Sequence, residues 1–158
     1  MDETPLGVSV SNFNSFTMAS LQSLYMALQA GEGFSVNADQ RTFTGRGYAV
    51  GGTEVPSLVC SNEHLSFNHF ARAMESMASE MHDPETQVLG GWVDEAGQVY
   101  VEVSDVVRSH YVAMELAAAR NEIAIYDFQE QKEIRNPKYV SGVTTTEVNV
   151  SRQQTQEA

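Results

Sequence analysis

The stretch Leu89-Gly-Gly-Trp-Val-Asp-Glu-Ala-Gly-Gln-Val-Tyr-Val-Glu-Val-Ser-Asp-Val-Val107 limits the possible folds more than any other part of the chain. Val99, Val101 and Val103 alternate with Tyr100 and Glu102, and a period of two is what a strand with one buried and one solvated face requires. Val88 to Val93 also has strand composition. Asp94-Glu-Ala-Gly97 between the two runs has the form of a four-residue loop, with glycine where a positive φ is cheap. The stretch therefore predicts an antiparallel hairpin with its valines inward and Tyr100 and Glu102 outward.

Helical periodicity occupies other segments. From Ser15 to Ala30 the apolar residues Met18, Leu21, Leu24, Tyr25 and Leu28 recur at spacings of three and four, and Gly31 supplies a stop. Phe67, Phe70, Met74, Met77 and Met81 mark a second helix that Asp83-Pro84 ends. A third, capped by Asp105 or Ser109, carries Val112, Ala113, Leu116, Ala117 and Arg120 on one side and closes at Asn121 in a left-handed cap. Phe34-Ser-Val36, Gly47 to Val50 and Ile123 to Phe128 read as strands, the last turning through Gln129 to Lys132 toward Glu133-Ile134. Thr53 to Asn62, with Pro56, reads as a connection.

This order predicts an α+β fold, an antiparallel sheet built from hairpins with about three helices packed on it. A chain of 158 residues with 42% hydrophobic content suits one domain. The expected organisation is a flexible arm over 1–13, a single α+β domain over 14–135, and an extended or flexible tail over 136–158, with Val148 and Val150 as candidate strand positions.

Charge narrows the classes of partner. The chain has 21 acids against 9 Lys plus Arg, a net charge of -12. Direct nucleic-acid binding is not expected, because neutralising phosphates needs clustered cations. Between Arg72 and Arg108 the only basic residue is His82, while Glu75, Glu80, Asp83, Glu85, Asp94, Glu95, Glu102 and Asp105 fall inside. This block is either a solvated surface or a face for a basic partner. The start MDETPLGVSV has neither the basic nor the apolar run of a secretory signal, and no stretch approaches the roughly 18 apolar residues of a membrane span, so no membrane association is expected. A single Cys60 fits a reducing compartment.

Chemistry-bearing constellations are sparse. Cys60, His64, His69 and His82 match no tight zinc spacing, and neither Cys60 with a histidine nor a serine with His110 has the local signature of a nucleophile. No catalytic residue, metal or cofactor is expected. Gly45-Arg-Gly47 and Gly51-Gly52 flank a strand instead of leading into a helix, as a phosphate loop would. Asp94, Glu95, Glu102 and Asp105 lack a companion His or Lys for acid/base work. Trp92, Tyr100 and Tyr126 could stabilise the sheet across strands, stack a planar ligand or anchor a partner.

The succession GYAVGG, GGWVDEAGQVYVEVSDVV, a short helix and NEIAIYDFQEQKEI resembles small uncharacterised proteins of actinobacterial phages and mobile elements, over roughly residues 45 to 135. The resemblance implies a setting, the cytoplasm of a bacterial host, and carries over no functional residue. The expected function is that of a non-enzymatic accessory protein that binds a host or phage macromolecule, with a protein as the expected partner. Its contact surface would be acidic and aromatic, formed by Trp92, Tyr100, Glu102, Asp105, Glu75, Glu80 and Tyr126. The alternatives are a nucleotide-like ligand binder using Trp92, Tyr100, Tyr126 and Arg46, and a virion component assembled through its terminal arms. A homo-oligomer is compatible with each.

Overall fold

The structure, a computed structural model, describes residues 16–37, 43, 45–81, 83 and 85–141. The expected arm, His82 and the candidate strand around Val148 and Val150 lie outside the described residues. Three helices, α1 (Met18–Gln29), α2 (Phe67–Ser79) and α3 (His110–Arg120), accompany seven strands. These are β1 (Phe34–Val36), β2 (Tyr48–Val50), β3 (Leu58–Ser61), β4 (Gln87–Val93), β5 (Gln98–Val107), β6 (Ala124–Asp127) and β7 (Lys132–Arg135). Pairing is antiparallel, so the expected α+β class holds.

The chain divides into two compact units, Met1–Phe43 with Val55–Val103 and Thr44–Glu54 with Ser104–Ala158. In the first, α1 starts at Thr17, whose hydroxyl accepts the Ser20 N–H at 3.0 Å, and α2 starts at Ser66, which accepts from His69 N–H at 3.1 Å. Each cap satisfies one amide that the first helical turn leaves without a partner. Leu21 and Leu28 of α1 and Phe70, Met74, Met77 and Ala78 of α2 are buried with Leu89 of β4 and Val99, Val101 and Val103 of β5. Full burial of side chains such as Phe70, Met74 and Leu28 contributes about 1.5–3 kcal/mol each. The methionine stripe of α2 is thus core. Met18 departs from expectation: it lies in the first turn of α1 and is 61% exposed, while Phe16, just before the cap, takes the core position.

The β4–β5 hairpin forms as the alternation predicts, and β5 continues past Val103, the last of the alternating valines, to Val107. Gly97 adopts φ +82 in the turn, where a side chain would be strained. Gly91 is needed for space, since a Cβ there would lie 2.6 Å from the Phe34 ring. Thr53 to Asn62 is not merely a connection. It contains β3, which pairs with β5 from Leu58↔Val101 to Ser61↔Gln98, followed by one turn of 3-10 helix at Asn62–His64.

In the second unit, β2 pairs with the Asp105–Val107 end of β5 and with β6, and β6 pairs with β7. Ser109, not Asp105, caps α3, accepting the Val112 N–H at 3.2 Å, and Asn121 closes the helix at φ 54. Val50, Ala113, Ala117 and Ile125 form the core. Val112 is 47% exposed and stands off this core, because the buried row runs through Ala113 and Ala117. Residues 136–140 are fastened to the end of α3 and the residues after it. Asn136 is buried and donates to Glu122 O at 2.7 Å, and the Asn121 amide both donates to Val140 O (2.9 Å) and accepts from Val140 N–H (2.8 Å).

Candidate surface on the outer face of the hairpin

Because Val99, Val101 and Val103 are fully buried, the intervening residues of β5 are turned to the other face. On that face Tyr100 stacks on Trp92 of β4, with ring centroids 4.3 Å apart and planes 13° from parallel. Both rings are half-buried. Val59 of β3, in register with Tyr100, extends the row on the far side and is 47% exposed. Trp92, Tyr100 and Val59 thus form a line of apolar side chains across three strands of the first unit.

Asp94 fixes the near end of this line. Its carboxylate accepts from Ala96 N–H and Gln98 N–H, each at 2.9 Å, and from the Tyr100 hydroxyl at 3.0 Å. The Gln98 N–H foremost, with the Tyr100 hydroxyl adding to it, holds the Asp94 carboxyl below the usual carboxylate range, against a desolvation that acts the other way. The hydroxyl bond also sets the orientation of the Tyr100 ring. The sequence places Asp94 in the turn and does not show that its second carboxylate oxygen meets the Tyr100 hydroxyl six residues further along the chain.

The first unit also carries most of the charge. Among the described residues it holds nine acids, Glu32, Glu63, Glu75, Glu80, Asp83, Glu85, Asp94, Glu95 and Glu102, against Arg72 alone, a formal charge of -8. The second unit holds seven acids, namely Glu54, Asp105, Glu115, Glu122, Asp127, Glu130 and Glu133, against six Lys and Arg, a formal charge of -1.

The expected site residues fall into separate settings. Trp92, Tyr100 and Glu102 share the outer face of the first unit, and Glu80 is exposed at the end of α2. Glu75 accepts the Phe16 N–H at 3.1 Å and helps to fasten the entry to α1. Asp105 belongs to the second unit, where it meets Arg120 at 2.7 Å. The Arg120 guanidinium donates as well to Val50 O (3.3 Å) and Gly51 O (2.9 Å), so this ion pair ties α3 to β2. Tyr126, also in the second unit, packs edge-on against Phe128 at 5.2 Å. Cys60 packs against the first core, and burial pushes its thiol up, while His64 and His69 are exposed. Among the described residues no group of three or more His, Cys, Asp or Glu could hold a metal ion, and no helix is long and apolar enough to cross a membrane.

Fold and surface define an α+β protein whose first unit is acidic among its described residues and carries a stacked Trp92–Tyr100 pair on its sheet. Comparison with known proteins gives it no closer placing: no family model, no curated protein and no solved structure matches the chain.

Proposed function

We propose that the chain is a non-enzymatic accessory protein of a phage or mobile element, and that it binds a basic protein partner through the outer face of the first unit. The observation that supports this reading is the joint placement of charge and aromatic area. A unit of charge -8 among its described residues presents the half-buried Trp92–Tyr100 stack on a face opposite its core. Such a field attracts a cationic partner over distances near the Debye length, about 8 Å at physiological salt, and the aromatic rings supply contact area at low entropic cost.

The acids to test are those not already used inside the fold. Replacing Glu75 or Asp105 would disturb the bonds to Phe16 and Arg120, so the informative set is the exposed Glu63, Glu80 and Glu95, each changed to Gln. A partner purified with the chain from infected bacteria is expected to dissociate as salt rises and to be lost with the triple variant. A partner held equally well by that variant, at low and at high salt, would overturn the reading.

A further inference from the structure

The hydrogen-bond phase of β5 identifies which backbone groups of β3 face away from it. Asp94 N–H donates to Gln98 O at 3.0 Å, and Asn62 N–H donates to Gly97 O at 2.8 Å. In an antiparallel ladder the backbone groups of successive residues point to opposite sides. Gln98 and Tyr100 therefore direct their backbone toward β4, and Gly97, Val99 and Val101 direct theirs toward β3. With Leu58 opposite Val101 and Cys60 opposite Val99, these two β3 residues bond to β5, and the N–H and C=O of Val59 point away from it. The Ser61 N–H points the same way.

The two edge strands of the unit are treated differently. On β1 the outward carbonyl of Ser35 accepts the Phe43 N–H at 2.9 Å. Among the described residues no backbone partner of Val59 is found on β3, and β3 pairs with β5 alone. Leu58-Val-Cys-Ser61 contains no charge, proline or bulge of the kind that blunts an edge strand, and shortness is its one protection of sequence. By contrast β7, an edge strand of the second unit, reads Lys-Glu-Ile-Arg.

We propose that the β3 edge is a strand-addition site, and that its occupant is an extended, lysine- or arginine-bearing segment of a partner protein. The inference rests on the acidic-surface reading and adds the mode of contact. An added strand exchanges two backbone bonds with Val59, accepts a third from Ser61, and lays alternate side chains beside Val59, on the line that continues to Tyr100 and Trp92. Charge selects the occupant. A second copy would bring a further chain of net charge -12 against the same edge, whereas a basic segment is attracted to it.

The probe is an acetylated, amidated hexapeptide of alternating lysine and valine, and the readouts are amide hydrogen exchange and Trp92 fluorescence. In the free chain the Leu58 and Cys60 amides are expected to exchange slowly and the Val59 amide fast. Saturating peptide is expected to slow Val59 at least about tenfold. Val59→Pro removes the outward N–H without touching the ladder to β5, and proline is tolerated on an edge, so it should fold and weaken binding about fivefold to tenfold. Should Val59→Pro disturb the fold, the same peptide N-methylated at its valines serves instead, with the same loss expected. Binding that weakens with salt but leaves Val59 exchange unchanged would overturn the edge site and leave the acidic-surface reading standing. Failure to bind at millimolar peptide would overturn both, and protection of Val59 by self-association alone would overturn the basic occupant.

Discussion

Tyr100 is held by two interactions of different kind, and a double-mutant cycle on Trp92 and Tyr100 separates them. The rings stack at 4.3 Å and 13°, and an aromatic pair is worth about 0.5–1.5 kcal/mol beyond its area. With both rings half-buried, the lower half of that range applies, so the Trp92→Ala/Tyr100→Ala cycle should give a coupling of about 0.5–1 kcal/mol. Tyr100→Phe keeps the stack and removes the hydroxyl bond to Asp94 at 3.0 Å. That bond is charge-assisted but partly solvated, which places its loss at about 1 kcal/mol. Trp92→Ala alone should cost about 1–2 kcal/mol, combining the lost stack with lost burial. Urea denaturation followed by far-ultraviolet circular dichroism reads all four variants. A coupling indistinguishable from zero, with the single variants as stable as the parent, would refute the claim that this stack organises the outer face.

Further outcomes follow from other parts of the structure. Asp94 has a folded-state pKa below its ordinary value, so its contribution is complete above the usual aspartate range and is lost as pH falls through the lowered value; Asp94→Asn should flatten the acid limb of a stability-against-pH profile, and a depressed Asp94 titration should be visible by carboxyl NMR. Arg120→Met should destabilise the fold by about 2–3 kcal/mol in urea, since it removes the Arg120 bonds to Asp105 and to the Val50 and Gly51 carbonyls. Asn121→Ala combines a strained left-handed backbone with loss of both bonds to Val140 and should cost about 2 kcal/mol, while Asn121→Gly, free of the strain, should cost about half as much. The Cys60 thiol, raised by burial, should react with iodoacetamide at pH 8 more slowly than a free cysteine and speed up in denaturant.

Much of this fold was legible in the sequence because its signals are redundant. The hairpin has alternation, a turn glycine and an acid-led loop. The helices α2 and α3 have hydroxyl caps, and α3 ends on an asparagine suited to positive φ. What escaped was short or non-local. β3 has four residues, no alternation that stands out, and a proline two residues upstream, so only its pairing with β5 makes it a strand. The exposure of Met18 and Val112 depends on which neighbour fills the core, Phe16 in one case and Ala113 with Ala117 in the other. The candidate surface was legible in part. Trp92 and Tyr100 come from facing strands of one hairpin, so their meeting is a local matter. That Asp105 is met by Arg120 and Glu75 by the Phe16 amide reflects contacts 15 and 59 residues apart, which periodicity does not encode.

Trp92 is the only tryptophan in the chain and lies on the proposed contact face, so its fluorescence reports the central claim without a label. The titrant is the alternating lysine and valine hexapeptide, added at low and at near-physiological salt. The expected result is a saturable change in Trp92 emission whose midpoint rises several-fold with salt, and which disappears when Glu63, Glu80 and Glu95 are changed together to Gln. An emission unaltered by peptide at either salt, or a midpoint indifferent to both salt and the three replacements, would contradict it.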